Sequence, residues 1–233
     1  MNKCILTTSW DDGQQFDEKL SSLLLDYGIK GTFYIAKNWE GRIVDTDLIK
    51  DLEKNFEIGA HTLSHSDLTS IPLKDADKEI KCSKEWLEKL LNHKIEMFAY
   101  PKGKYNDKIV KLVRQAGFLG ARTLNFKTTL PKNPFMMGVG CQASNGSPLL
   151  RLKASLNSGM SFKSLLDWSV NAKLLFDYVM ENGGIWHLWG HSWEIEENGD
   201  WEKLEKVLKY VSNKKNVYYL ENREIIKLVY HRP

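Results

Sequence analysis

The sequence predicts an α/β fold in a single domain spanning residues 1–233, built as an irregular barrel of about seven β/α units. Short segments rich in β-branched and aromatic residues alternate along the chain with longer segments whose apolar residues recur at helical spacing. This alternation indicates parallel strands with helices packed outside them. No linker divides the chain, and about seven units favour a closed or nearly closed barrel over an open sheet.

The first unit shows the pattern most clearly. The apolar segment Cys4–Thr8 predicts a buried strand that delivers the acidic pair Asp11-Asp12 at its carboxyl end. A helix follows over residues 16–27, where leucines share one face, and Gly28 is suited to its C-cap.

The later elements follow from the same two signals. In chain order we expect a strand over 31–36, a helix over 46–54, a strand over 57–60, a helix over 73–91, a strand over 97–100, a helix over 107–116, a strand over 119–122, a looser, loop-rich region over 125–161, a helix over 164–181, a strand over 184–188, a helix over 201–212 and a strand over 217–220. Chemistry is then expected at the carboxyl ends of the strands.

Composition excludes several classes of function. The 33 basic and 30 acidic residues nearly cancel to +3 and form no long block of one sign, so nucleic acid is not an expected partner. Three widely spaced cysteines suit buried thiols in a reducing compartment better than a zinc ribbon or a disulfide scaffold. The chain offers no apolar signal-peptide region and no stretch of about 18 apolar residues, so we expect no transmembrane segment and a cytoplasmic location. The oligomeric state is left open.

Acidic or imidazole groups follow three of the predicted strands. Two histidines four residues apart, His61 and His65, fall on one face of a helix or helical turn, where both can bind one cation. One carboxylate from Asp11 or Asp12 would complete a facial triad with open positions for water and substrate. His191 follows a later apolar strand.

Taken together, these segments resemble the motifs of the polysaccharide deacetylase family, also called the NodB-homology or carbohydrate esterase 4 superfamily. Thr8–Gly13 is similar to its Thr-Phe-Asp-Asp-Gly motif, and Gly59–His65 matches its His-Ser/Thr-x-x-His motif. Phe98–Gly103 looks like its third motif, and His187–His191 looks like its last. The resemblance covers residues 7 to about 194 and implies the irregular (β/α)7-type barrel of the NodB-homology kind.

The resemblance also implies roles for individual residues. Asp12, His61 and His65 would bind a divalent metal, usually zinc, although cobalt or another divalent ion can serve, and the metal would lower the pKa of a water molecule. Asp11 would be the general base, and His191 the general acid that protonates the leaving amine. A backbone N–H in the loop around Lys102 would help to hold the oxyanion.

Substrate contacts are expected from the third motif and from indoles near the last one, because sugar rings stack their C–H faces on tryptophan. The candidates are Tyr100, Pro101, Lys102, Trp189, Trp193 and Arg122. His187 and Trp186 are expected to lie in the interior instead.

Two departures from the family pattern bear on the catalytic residues. The arginine that commonly pairs with the catalytic aspartate is replaced by Ala99. Arg122 could reach Asp11 from a later strand, or be a surface or structural arginine. Asp167 could correspond to the acidic motif that orients the histidine, but a place on a helix surface is favoured.

The resemblance implies a metal-dependent hydrolase that removes an acetyl group from an N-acetylated, or O-acetylated, carbohydrate or glycan precursor. Two alternatives stay open. One is a hydrolase of another C–N bond, such as that of a cyclic amide or ureide, because the metal chemistry is indifferent to the sugar. The other is a catalytically silent saccharide-binding homologue.

Overall fold

The computed structural model of the protein describes residues 3–144 and 167–230. The strands in these residues are β1 (Cys4–Asp12), β2 (Gly31–Ile35), β3 (Asn38–Trp39), β4 (Arg42–Ile43), β5 (Glu57–Ala60), β6 (Met97–Ala99), β7 (Gly120–Phe126), β8 (Met137–Val139), β9 (Cys141–Gln142), β10 (Gly184–Gly190) and β11 (Val217–Tyr219). The helices are α1 (Asp17–Asp26), α2 (Thr46–Glu53), α3 (Leu73–Leu91), α4 (Asp107–Gln115), α5 (Trp168–Asn182), α6 (Ser192–Glu197), α7 (Trp201–Val211) and α8 (Asn222–Tyr230). Among the described helices, none combines the length and apolar character needed to span a bilayer.

Nine strands form one parallel sheet in the order β8-β7-β6-β5-β2-β1-β10-β9, with β11 beside β1. β1 occupies the middle of this sheet. Along one edge it pairs with β10; along the other, Cys4–Leu6 pairs with β11 and Thr8–Asp12 pairs with β2. The first strand is therefore held by partners from both ends of the chain.

A short segment, Met137–Gln142, brings the two ends of the sheet together. Its first half, β8, pairs with β7, and its second half, β9, pairs with β10. Between them the Gly140 N–H donates to the His187 carbonyl at 2.8 Å. The sheet is therefore a nearly closed barrel, as predicted.

Alternation along β1 sends its side chains to two different cores. Cys4, Leu6 and Trp10 point outwards into the main core between the sheet and the helices. Ile5 points inwards and packs with residues from the facing strands and from α8. This inner cluster consists of Ile5, Tyr34, Met97, Ala99, Met137, Ile185, Ile225 and Ile226. Since the inward positions recur every second residue, Asp11 also faces the lumen.

The predicted elements agree with the structure in order and type, with differences at a strand end and among the shorter elements. β1 continues to Asp12, because its polar end stays hydrogen-bonded to β2. The hairpin β3–β4 and the helix α6 were not predicted, since each is too short for its apolar period to stand out. The helix α8 was also missed. The predicted loop-rich region over 125–161 is wrong for its first part, which contains β8 and β9. Its residues from 145 onwards, and the predicted helix start at 164–166, lie outside the described residues.

A polar layer closes the lumen at the amino ends of the strands. Asn222, which begins α8, accepts from the Thr7 hydroxyl at 3.0 Å and donates to the Tyr34 hydroxyl at 2.9 Å.

Glu57 accepts from the Thr32 hydroxyl at 2.6 Å and from the Arg223 N–H at 3.1 Å through the same oxygen. Its other oxygen is buried with no hydrogen-bond partner among the described residues. Burial raises the pKa of Glu57 from 4.5 to about 8, although both of these hydrogen bonds oppose that rise.

This burial makes stability depend on pH. Between pH 4.5 and about 8 the folded protein keeps the Glu57 proton that the unfolded chain releases, so the free energy of unfolding falls as pH rises. We expect Glu57→Gln to make this decline shallower and to raise the stability at pH 8. Denaturant unfolding across this pH range measures both effects.

The matched control is Glu85→Gln on the exposed face of α3, which should leave the decline as it is in the wild type. A decline equally steep in Glu57→Gln and in the wild type would show that Glu57 is ionised in the folded protein at pH 7.

Candidate active site

The carboxyl end of β1 places two neighbouring aspartates in different directions. Asp11 continues the inward alternation of the strand, whereas Asp12 has a left-handed backbone with φ of 83°. Gly13 follows with φ of 74°, and a Cβ atom there would lie 3.1 Å from Val44 and 3.2 Å from Ile35. A left-handed backbone at a residue other than glycine costs on the order of 1 kcal/mol or more. The conformation that directs the Asp12 carboxylate therefore lowers the stability of the fold.

The two histidines follow β5 on an irregular loop. The prediction that they lie on a helix or helical turn is wrong, because Thr62 and His65 are left-handed, with φ of 69° and 54°. Their side chains still converge: the two rings are 4.8 Å apart between centroids. Asp12 Oδ1 lies 3.9 Å from His61 Nε2 and 3.6 Å from His65 Nε2.

Asp12, His61 and His65 are suited to hold a metal ion. One potential ligand atom from each residue lies within 4.8 Å of the others. The His61 Nδ1–H donates to the Ala99 carbonyl at 2.8 Å, which leaves the Nε2 lone pair free for a cation. Asp12 Oδ1 is buried with no hydrogen-bond donor among the described residues, as expected of a metal ligand. Burial also lowers the pKa of His61 to about 3, so its imidazole is neutral.

Arg122 provides the positive charge that an arginine at position 99 would provide in the family pattern. The two residues are register partners on β6 and β7, and Arg122 Nη2 donates to Asp11 Oδ1. The guanidinium also lies 5.1 Å from the ring centre of Tyr34 and 5.7 Å from that of Trp189. Burial by itself would raise the pKa of Asp11, but Arg122, together with two histidines, outweighs it and lowers the pKa below its ordinary value.

His191 is oriented by Glu194 from the first turn of α6. Its Nδ1 lies 2.7 Å from Glu194 Oε2, and its Nε2 lies 3.8 Å from Asp12 Oδ2. Burial would lower the pKa of His191, but the hydrogen bond to Glu194 and the charges of Asp12 and Asp11 raise it. Sequence reasoning left Glu194 unassigned, although the i, i+3 spacing from His191 was a signal. Asp167 instead caps α5, where it accepts from the Ser169 N–H at 2.8 Å.

A cavity of about 680 Å³ opens over these groups. Its walls include Asp11, Asp12, Trp39, Glu40, His61, Ser64, His65, Ser66, Asp67, Ser70, Ile71, Lys102, Gly103, Leu124, Trp189, His191, Trp193 and Glu194. Trp193 also donates its indole N–H to Asp12 Oδ2 at 3.0 Å. Trp39, in the first strand of the β3–β4 hairpin, packs against Trp193 with ring centres 5.4 Å apart and ring planes tilted by 36°. Sequence reasoning missed Trp39 because it lies far from every motif.

Three of the six expected substrate contacts lie behind the cavity wall. Tyr100 and Arg122 have no exposed surface, and Pro101 is buried. The Tyr100 hydroxyl donates to the Phe135 carbonyl at 3.2 Å, and Arg122 binds Asp11. These three side chains therefore lie beneath the cavity and do not line it. Lys102, Trp189 and Trp193 do line the cavity.

His187 lies deeper in the lumen, below Asp11. Its Nε2 lies 2.8 Å from the Ser9 hydroxyl and its Nδ1 lies 3.0 Å from the Gly138 carbonyl, so both ring nitrogens are satisfied. The residue has no exposed surface. His187 thus ties β1 and the closing segment to β10, as expected of an interior histidine.

Comparison with known proteins agrees with this fold. A family model described as polysaccharide deacetylase matches residues 1–121. The protein YxkH of Bacillus subtilis (strain 168), named as a putative polysaccharide deacetylase, is 23% identical over 120 residues, which are 50% of this chain and 43% of YxkH. The match therefore spans less than half of that relative.

Two solved structures are similar over nearly the whole chain. A putative polysaccharide deacetylase from Mycobacterium smegmatis has a TM-score of 0.74 at 15% identity, covering 98% of this chain and 90% of its own. The Puue allantoinase has a TM-score of 0.75 at 12% identity, covering 100% and 93%. At such identities the likeness establishes the fold alone. The family model, which matches more than half of the 233 residues, establishes more: this chain belongs to the polysaccharide deacetylase family.

Proposed function

We propose that the protein is a metal-dependent hydrolase that removes an acetyl group from an N-acetylated, or O-acetylated, carbohydrate or glycan precursor. One observation carries the proposal: Asp12, His61 and His65 converge on a single point, with Asp11 beside His61 and His191 beside Asp12. Family membership supports the reaction type. The products are acetate and the free amine or alcohol.

Asp12, His61 and His65 would hold the metal, for which zinc is the first choice and cobalt or another divalent ion the next. A divalent cation there would polarise the substrate carbonyl and make a water molecule more acidic. The three side chains suit this task because His61 is fixed by Ala99 and Asp12 Oδ1 is otherwise unpartnered. A carboxylate with two neutral imidazoles leaves a net positive centre when the cation is bound, which suits a developing oxyanion.

Asp11 acts as the general base. Its Oδ1 is occupied by Arg122, so Oδ2, which lies 3.9 Å from His61 Nε2, is the atom available to take a proton from the attacking water. The lowered pKa of Asp11 keeps it ionised before the reaction, so it is ready to accept that proton.

His191 acts as the general acid. Its Nδ1–H donates to Glu194, so the proton to be transferred sits on Nε2, on the side of Asp12 and the cavity. The raised pKa of His191 favours the protonated ring that a leaving amine needs. Glu194 is the positioning residue for this step.

The cavity surface supports a saccharide as the substrate. Trp39, Trp189 and Trp193 offer indole surface, whereas Ser66 and Ser70 on the loop after His65 offer hydroxyl groups. A sugar ring needs both, since it has apolar C–H faces and polar edges. Lys102, at a left-handed position with φ of 57°, lines the cavity where its backbone or side chain would face the carbonyl oxygen.

A second candidate is hydrolysis of another C–N bond, such as that of a cyclic amide or ureide. The similarity in fold to an allantoinase is the observation that favours this second candidate. A catalytically silent saccharide-binding protein is the third candidate, but Asp11 with its arginine partner and His191 with its glutamate partner argue for a working site.

Acetate release is the test of the proposal. We expect metal-depleted protein to be inactive, and protein reloaded with zinc or cobalt to release acetate from at least one N-acetylated mono-, oligo- or nucleotide-linked sugar. Stoichiometric metal with no acetate from any sugar, but with turnover of a cyclic amide, would select the second candidate. Metal binding with no turnover of either class would select the silent homologue.

Asp11 and His61 should fail in different ways. Asp11→Asn should keep the metal and lose about 10²–10⁴-fold in kcat, because only the base is removed. His61→Ala should lose metal and activity together. Metal analysis of both purified variants, with thermal melts to show that each is folded, separates the two roles. Equal metal loss in both would contradict this assignment.

The role of His191 depends on the leaving group. Amines leave only when protonated, whereas alkoxides need less help, so His191→Ala should slow amide cleavage far more than ester cleavage. Glu194→Ala should show the same bias more weakly, since it loosens the acid without removing it. Matched N-acetyl and O-acetyl substrates measure the ratio. Equal losses on the two would contradict the role of His191 as acid.

A further inference from the structure

The loop that carries His61 and His65 is held by one carboxylate from outside it. Glu79, on α3, accepts from the Leu63 N–H and the Ser64 N–H through Oε2, at 2.9 Å each. Its Oε1 accepts from the Ser64 hydroxyl at 2.9 Å. Both carboxylate oxygens of Glu79 are therefore committed to two consecutive residues that lie between the histidines.

The conformation of this loop needs such support. Thr62 and His65, on either side of the Leu63-Ser64 pair, have left-handed backbones that branched and bulky residues seldom adopt. No helix or strand fixes residues 61–65. The three hydrogen bonds that Glu79 accepts from Leu63 and Ser64 offset part of the strain.

The opposite side of the loop is bound to a different element. The Leu63 carbonyl accepts from the Asn38 N–H at 2.7 Å, at the start of the hairpin that carries Trp39. The Leu63 residue is thus fixed by its N–H to α3 and by its carbonyl to β3. Ser64 gains a further contact, with its hydroxyl 2.7 Å from that of Ser66.

His65 is the histidine that depends on this arrangement. His61 has a hydrogen bond from its own ring to Ala99 and directly follows β5, whereas His65 lies beyond both left-handed residues, with its side chain 17% exposed. A change in the backbone conformation of Leu63-Ser64 would move His65 relative to Asp12. The His65 Nε2 atom lies 3.6 Å from Asp12 Oδ1.

We propose that Glu79 is a positioning residue for the metal centre, which acts by holding the Leu63-Ser64 segment so that His65 meets Asp12. This inference rests on the proposed function of the site as a metal centre. Glu79 is not one of the three candidate metal ligands, and it is absent from the walls of the cavity formed by the described residues.

The experiment measures zinc affinity by competition with a chromophoric chelator, together with amide hydrogen exchange of the metal-free protein. Glu79→Ala should weaken zinc binding about 10–100-fold, as loss of the groups that orient metal ligands commonly does. The exchange of the Leu63 and Ser64 amides should become faster. Glu79→Gln should largely restore both, since its carbonyl can accept from the two amides and its NH₂ can donate to the Ser64 hydroxyl.

Two further variants make the test specific. Glu85→Ala lies on the exposed face of the same helix and should change neither measurement. Ser64→Ala removes one of the three hydrogen bonds and should weaken zinc binding less than Glu79→Ala does. If Glu79→Ala does not fold, the other two variants still test the proposal. Glu79→Gln should bind zinc nearly as well as the wild type, and Ser64→Ala should bind it more weakly than the wild type.

Unchanged affinity and unchanged exchange in Glu79→Ala would overturn the proposal. Equal losses in Glu79→Ala and Glu79→Gln would also overturn it, because charge rather than hydrogen bonding would then be responsible. If the wild-type protein binds no zinc or cobalt, the proposed function fails. The exchange rates of the metal-free protein would still decide whether Glu79 orders the loop.

Discussion

The buried charge of Arg122 is the constraint on which the site depends. A guanidinium with no exposed surface in the lumen of a barrel would cost several kcal/mol if it had no anion beside it. Asp11 meets that need and is kept ionised by it. The ionised Asp11 in turn raises the pKa of its buried neighbour Asp12, in addition to the effect of burial. Arg122 pairs with Asp11, whereas the neighbouring Asp12 faces two imidazoles, His61 and His65. A divalent ion would stabilise a carboxylate in such a place.

Much of the fold could be predicted from sequence, because local signals specify it, and so could the convergence of Asp12, His61 and His65 at one end of the barrel. Long helices such as α3 show their apolar period, and strand ends show their polar residues. The partner of Asp11 could only be suggested. Whether Arg122 reaches it depends on the register of β6 against β7, which sets Ala99 beside Arg122 and is a tertiary property.

Other parts of the site are invisible to local patterns for different reasons. Trp39 reaches the cavity through a two-residue strand pair that is too short to have a period. The two strands that close the barrel, β8 and β9, have only three and two residues, and β9 pairs with β10, which lies far along the chain. Tyr100 and Pro101 were expected to contact the substrate because they belong to a motif, but a motif does not reveal which of its residues turn inwards.

The position of β1 in the sheet also has a consequence for the order in which the molecule assembles. During synthesis β1 can pair early with β2, but its opposite edge waits for β10, and the floor of the lumen waits for α8. The hydrogen bond between Thr7 and Asn222 joins residues 215 positions apart, which a ribosome separates by on the order of 10–40 s. Until β10 is made, the strand that ends in Asp11 and Asp12 lacks the final partner of one edge, and unpaired strand edges are sites at which chains aggregate.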